Sequence, residues 1–441
     1  LSEAPSEQTG AAAEAAGSHQ LTELPSGVRV VTEAMPSVRS VALGLWVGTG
    51  SRDETPEQAG VSHFLEHLLF KGTERYSAIE LNEEFDAIGA AFNAATSKET
   101  THLHARFLDE HTERAFDLMS EMLLAPTMPE DEVDSERQVV IEEIAMYEDE
   151  PQDRVHDVLD AVVFPGHPLG RRVLGAAEVI GSIPVDDIGG YHRSHYVGPN
   201  LVVAAAGNLE HARVVELAER FLAPPPGSEP RTWEPPAAGP ASSFMAKETE
   251  QYHICFGGPG IDRNDDRRFA FRVLNTIFGG SSSSRLFREV REKRGLAYSV
   301  GSYADHYRDA GIFALYVGTR GNNVEEAVEI IGSELDRIST EKVSDGELAR
   351  AKESVKGRIV LSEESTLARM SRLAGATLFD VPILTLDELI ERIDAVSADD
   401  VIDVARDFLK IDGLSAACIG PDENCFRKAL APVSETLAAA A

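Results

Sequence analysis

Residues 222–243 read LAPPPGSEPRTWEPPAAGPASS. Proline, glycine and small residues dominate, and apolar periodicity is almost absent, which is the composition of a stiff, extended connector. The stretch lies close to the midpoint of the 441-residue chain. A division there leaves two halves of similar length and raises the question of whether one copies the other.

At the level of pattern they match. SVALGLWVGTGSRDE (residues 40–54) runs from a buried-strand pattern into a polar turn, and YHICFGGPGIDRNDD (252–266) has the same shape. A helical segment follows each, ending in Phe70-Lys71-Gly72 and in Phe278-Gly279-Gly280. Next come AFNAATSKETTHLHARF (91–107) and AYSVGSYADHYRDAGIFALYV (297–317), which alternate as antiparallel strands do. Apolar residues at helical spacing then mark helices over 110–124 and 323–339. The expected fold is α+β: two similar α/β-sandwich domains, each a mixed or antiparallel sheet packed with helices, related by an internal repeat. The expected boundaries are a tail at 1–20, an N-terminal domain at 21–221, the connector at 222–243, a C-terminal domain at 244–432 and a flexible tail at 433–441.

Composition narrows the function classes. Lys and Arg number 41 against 74 Asp and Glu, a net charge of −33. Nucleic-acid binding needs a dense cationic surface, so that class is set aside. Such a field favours cationic substrates such as Arg-containing peptides, and it also serves solubility alone. Three cysteines, Cys255, Cys418 and Cys425, cannot make a disulfide framework and fit a reducing compartment. No window approaches eighteen apolar residues, so no membrane span is expected. The first twenty residues lack a basic and an apolar region, and we read them as a frayed tail in a cytoplasmic bacterial protein.

The chemistry concentrates in His63-Phe-Leu-Glu66-His67. Val61, Phe64, Leu65, Leu68 and Leu69 form an apolar stripe that predicts a helix. Positions i, i+3 and i+4 share one helix face, so His63, Glu66 and His67 point together. Two imidazoles one turn apart can bind one zinc ion. Zinc lowers the pKa of a water, whose proton Glu66 would accept. The competing reading is the polar face of a solvated helix. A catalytic zinc needs a third protein ligand. Residues 136–147, ERQVVIEEIAMY, are helical by composition and rich in carboxylates. Glu136 and Glu143 lie two turns apart on one face, while Glu142 points roughly 100° away from Glu143. On chemistry alone either Glu142 or Glu143 could ligate. In the second half Phe271, Leu274 and Asn275 stand where His63, Glu66 and His67 stand, and Arg358 falls near the place of Glu143. That half lacks every proposed metal group.

His63-Phe-Leu-Glu66-His67-Leu-Leu-Phe70-Lys-Gly-Thr73 resembles the inverted zinc motif of the pitrilysin family of metallopeptidases, and within it the β-subunit of the mitochondrial processing peptidase and its bacterial relatives. The likeness extends from about Thr22 to Leu430. It implies a zinc endopeptidase with one ion per chain, bound by His63, His67 and Glu143, with Glu66 as general base. The family's spacing of 76 residues after the second histidine selects Glu143 over Glu142, and Glu136 matches a carboxylate that supports the site. Phe92-Asn93-Ala94-Ala95-Thr96-Ser97 resembles the edge strand to which substrate adds. Phe70, Asn93 and Ala94 are thereby implied in substrate binding. Arg291 and Tyr298, seven apart, resemble a pair that holds the substrate backbone near the zinc and could stabilise an oxyanion.

The segment Phe278-Gly-Gly-Ser-Ser-Ser-Ser-Arg285 lacks the long glycine run of the zinc-free mitochondrial subunit. The chain carries two of the four domains that a closed chamber of this family requires. A homodimer is therefore implied, or a heterodimer with a zinc-free homologous subunit. Substrates would be peptides or flexible N-terminal segments. The alternative is a non-catalytic peptide-binding or scaffold subunit of a processing complex.

Overall fold

The computed structural model describes residues 19–227, 234–237 and 239–439. Most of the expected N-terminal tail, part of the connector and the last two residues lie outside the described residues.

The first sheet contains β1 (His19–Glu23), β2 (Arg29–Ala34), β3 (Ser40–Val47), β4 (Ala91–Thr96), β5 (Thr101–Leu108) and β6 (Leu201–Gly207), in the order β1-β2-β6-β3-β5-β4. The second contains β7 (Ser242–Ala246), β8 (Gln251–Pro259), β9 (Ala297–His306), β10 (Gly311–Arg320) and β11 (Ser415–Gly420), in the order β7-β11-β8-β10-β9. Apart from β1 the two orders superpose strand for strand. β2 pairs with β6 in parallel as β7 does with β11, and the remaining neighbours are antiparallel in both sheets. The repeat read from sequence is thus a repeat of topology, and both sheets are mixed. Each ends on a hairpin edge, β4 in one and β9 in the other.

One face of the first sheet is covered by α1 (Val61–Leu68), α2 (Thr112–Leu124) and α3 (Glu130–Asp149). Phe64, Leu65 and Leu68 meet Val41, Leu43 and Leu45 of β3 in one core with Phe116, Met119, Val140 and Ile144. The corresponding face of the second sheet is covered by α5 (Arg268–Phe278), α6 (Val324–Thr340) and α7 (Asp345–Ser362); the helix α4 (Pro151–Val163) precedes them in the chain and α8 (Thr366–Leu378) follows.

α4 and α8 are exchanged between the halves. Val155, Leu159 and Val163 of α4 pack on Cys255, Ala314, Tyr316 and Ala417 of the second sheet. Met370, Leu373 and Ala374 of α8 pack on Val31, Ala42, Val202 and Ala204 of the first. Burying such a side chain is worth roughly 1.5–3 kcal/mol, so each exchanged helix stabilises the other half's sheet substantially. Ion pairs reinforce the joint. Arg52, 1% exposed, contacts Glu99 and Asp309, each at 2.7 Å, and buried Glu33 receives Arg369 and Arg372.

The C-terminal segment differs from the expected free tail. Glu435–Ala439 is helical, and Leu437 is fully buried in the second core, because an apolar side chain gains by leaving water. Among the described residues no helix is long and apolar enough to cross a membrane.

Candidate metal centre

α1 is held at its start by an unusual cap. Gly60 has φ +97°, and a Cβ there would lie 2.7 Å from the carbonyl of Leu174, so glycine is needed for the chain to enter the helix. The buried carboxylate of Glu54 accepts N–H from Gly60 and Ser62, both at 2.8 Å. These are among the free amides of a helix N-terminus, where negative charge is favoured. Burial nevertheless dominates, and it pushes the Glu54 pKa up to about 7. Ser62 Oγ also pairs with the Tyr191 hydroxyl at 2.8 Å. The helix is therefore fixed from below before its polar face is considered.

That face carries His63, Glu66 and His67. The His63 and His67 rings lie 4.7 Å apart. Glu143 on α3 reaches between them, its Oε2 3.6 Å from His63 Nε2 and 3.4 Å from His67 Nε2. Both separations exceed a hydrogen bond, so three Lewis bases converge without a proton shared among them. Among the described residues this is the one group of three or more His, Cys, Asp or Glu side chains whose ligand atoms so converge, all within 4.8 Å. Glu142 is exposed and is not part of this group. Burial, reinforced by His67, lowers the His63 pKa to about 4, leaving a neutral imidazole whose Nδ1 is buried without a hydrogen-bond partner. The donor set fits zinc: two imidazoles and one carboxylate, the three protein ligands of a catalytic site.

Glu136 is buried and takes a 2.8 Å hydrogen bond with His67 Nδ1, which turns His67 Nε2 toward Glu143. Lys71 closes on its other oxygen. Glu66 accepts a 2.6 Å hydrogen bond from Thr96 Oγ1 on the edge strand β4. Burial raises the Glu66 pKa against the opposing pull of that bond and of His67. Asn93 is exposed on β4, and its Oδ1 accepts the Ala94 N–H at 2.9 Å. Phe70 packs on Phe92, 5.1 Å between rings, and Phe92 stacks on Phe85. Seven of the expected residues thus gather on α1, β4 and α3, and Phe70 stands in the turn that follows α1.

Arg291 and Tyr298 do not join them. Arg291 donates to the Tyr298 carbonyl at 2.9 Å and lies 4.5 Å over its ring, and Tyr298 is 78% exposed on β9. Among the described residues no hydrogen bond, ion pair or ring contact links either to the metal cluster. Lys71 and Thr96 stand within the quoted motifs and Glu54 outside them, and none of the three has an individual role legible in the sequence. Thr96 carried a signal, a hydroxyl at a strand position facing α1. Lys71 and Glu54 carried none beyond their place in or near the motif.

Comparison with known proteins also divides the chain in two, at an earlier point. Residues 29–177 match the profile of insulinase, peptidase family M16, and residues 182–355 match that of the peptidase M16 inactive domain. The junction of the two profiles precedes β6, which nevertheless lies in the first sheet. An uncharacterized zinc protease of Streptomyces coelicolor is 43% identical over 407 residues, covering 89% of this chain and 88% of its own. The uncharacterized zinc protease YmxG of Bacillus subtilis is 41% identical, covering 90% and 97%. Among solved structures, a protease from Helicobacter pylori superposes with a TM-score of 0.85 at 21% identity, covering 92% of this chain and all of its own. A peptidase M16 inactive domain from Pseudomonas fluorescens gives 0.86 at 22%, covering 92% and 98%. The chain belongs to peptidase family M16, the pitrilysin-type zinc peptidases.

Proposed function

We propose that this member of family M16 is a zinc-dependent endopeptidase that cleaves peptides or flexible N-terminal segments. The observation that carries the reading is the convergence of His63 Nε2, His67 Nε2 and Glu143 Oε2 around one point, beside a carboxylate that does not ligate. His63, His67 and Glu143 would hold one zinc ion per chain. When bound, zinc supplies Lewis acidity to a water and to the scissile carbonyl.

The remaining work falls to the chain's own groups. Glu66 takes the proton of the attacking water at its carboxylate and returns it to the leaving amine, and its raised pKa makes it the stronger base. Thr96 fixes the rotamer of Glu66. Glu136 sets the tautomer of His67 by taking its Nδ1 proton in a hydrogen bond. The substrate backbone adds to β4 beside Asn93 and Ala94, because an edge strand offers unpaired main-chain groups whatever the side chains. Phe70 and Phe92 provide an apolar wall for a substrate side chain next to the metal. Arg291 and Tyr298, which stand apart from the cluster in this structure, would reach it across the chamber to hold the substrate backbone and serve the oxyanion.

We assign the closed chamber to a dimer, of two copies or with a zinc-free homologous partner, acting in the cytoplasm. The chain's charge favours Arg-containing peptides. The test is cleavage of a quenched fluorescent Arg peptide by wild type and Glu66→Gln, each with and without chelator, alongside zinc analysis. Expected are near-stoichiometric zinc in both proteins and a loss of roughly 10²–10⁴-fold in turnover for the variant. Absence of zinc that added metal does not restore would favour the non-catalytic scaffold instead.

A further inference from the structure

The second domain lacks the metal groups, and its counterpart of α1 borders a cavity instead. A cleft of about 490 Å³ opens between the start of α5, the end of β9, and α8 with the segment that follows it. This size suits a small organic ligand and is far too large for an inorganic ion. Phe271 and Asn275, the counterparts of His63 and His67, lie on its floor. Asn275 Oδ1 accepts the Ser302 hydroxyl of β9 at 2.6 Å, much as Glu66 accepts Thr96 of β4.

Its chemistry is inverted relative to the first domain. Arg263, Arg268, Arg272, Arg372 and His306 line it, and no Asp or Glu does, in a chain with 74 acidic residues against 41 Lys and Arg. Three of these groups are already occupied: Arg372 by Glu33 and Glu363, Arg268 by the Asp265 carbonyl and Asp266, and His306, whose pKa burial lowers, by the Ile261 carbonyl. Arg263 is only partly compensated, 3.9 Å from Glu99, with its Nε buried and unpaired and its guanidinium over the Phe379 ring. The Arg272 guanidinium makes no hydrogen bond or ion pair with any described residue, while its carbonyl accepts the Thr276 hydroxyl. It is open to the cleft, yet crowding by protein and the nearby charge of Arg358 both lower its pKa. Arg358 itself bonds only to neutral oxygens, of Thr276 and Gly280. Around this cationic end stand apolar walls, Phe269, Val381, Ile383, Leu384 and Leu389.

We infer that this cleft binds an organic carboxylate carried on an apolar body, its charge on Arg272 and Arg263 and its body against the walls from Val381 to Leu389. A guanidinium fork matches a carboxylate in shape as well as charge. Both a hydrophobic peptide C-terminus and an acyl chain present that chemistry.

The experiment is calorimetric titration of the full chain in chelator, so that no ligand binds through a metal and no peptide is cleaved. The probes are a hydrophobic tetrapeptide with a free C-terminal carboxylate, its C-terminal amide, decanoate and inorganic phosphate. Arg272→Ala and Arg272→Glu are titrated beside wild type, with circular dichroism to confirm the fold. Saturable binding of the peptide acid, of decanoate or of both is expected, identifying the source. Binding should weaken at least tenfold in Arg272→Glu and less in Arg272→Ala, with the amide and phosphate weak throughout. Three outcomes overturn the inference: the amide binding as well as the acid, phosphate binding as well as either carboxylate, or folded Arg272→Glu binding like wild type.

Discussion

α1 over the first sheet and α5 over the second occupy the same place in the same topology, each beside an edge strand and crossed by a long helix. Over the first sheet, the polar face collects two imidazoles and three carboxylates from α1 and α3. Over the second, the matching positions hold Phe271, Leu274 and Asn275, and Arg358 replaces the carboxylate of the long helix. The caps differ too. Glu54 lies buried under the start of α1, whereas Asp262, at the corresponding position, turns back to the N–H of Asn264. Since packing and topology are shared, the contrast isolates what a metal centre requires beyond a fold: ligands, a partner for each ligand, and a fixed helix start.

The contrast can be broken most completely at a ligand. His63→Ala leaves two donors, and dialysed protein should retain no stoichiometric zinc by metal analysis while its peptidase activity falls to background. Retention of one zinc per chain would remove His63 from the ligand set.

Next in size is the cap. With its pKa raised from 4.5 to about 7, folded Glu54 holds its proton more tightly than the unfolded chain does. Its stabilising contribution is therefore complete below about pH 4.5 and is lost as pH rises through 7, amounting to about 3 kcal/mol. Glu54→Gln mimics the protonated form. Denaturant titrations should show wild type losing stability relative to the variant between pH 4.5 and 7, and parallel curves would refute this account.

Glu136→Gln should preserve the site but loosen it, raising the dissociation constant for zinc by roughly 10–100-fold in competition with a chelator. An unchanged constant would make Glu136 a partner of Lys71 only. The smallest effect belongs to the second domain. Arg358→Ala removes hydrogen bonds to two neutral oxygens and should shift stability by about 1 kcal/mol with zinc content unaltered. A loss of zinc there would mean that the two halves are not chemically separate.

Much of this was legible in the chain itself. Strand alternation and the Phe-Lys-Gly and Phe-Gly-Gly landmarks revealed the repeat because a two-residue period and a turn signal are local properties. The clustering of His63, Glu66 and His67 follows from helix geometry alone. Glu143 was separable from Glu142 only through family spacing, since helical phase does not say which face meets another helix. The exchange of α4 and α8 was hidden for the same reason. Val155, Leu159 and Val163 announce a buried stripe, yet periodicity names no partner. The Glu54 cap is not legible in the sequence because six residues, including a 3-10 turn at Pro56–Gln58, separate it from the helix it supports.

The exchanged helices bear on how the two halves could ever be parted. A nick within residues 222–243 would cut the covalent thread but leave α4 clamped on one sheet and α8 on the other. The fragments would stay together as a complex, and either half made alone would present a bare apolar sheet face to water. The half that lacks the metal-binding pattern is therefore an obligate part of the scaffold for the half that carries it.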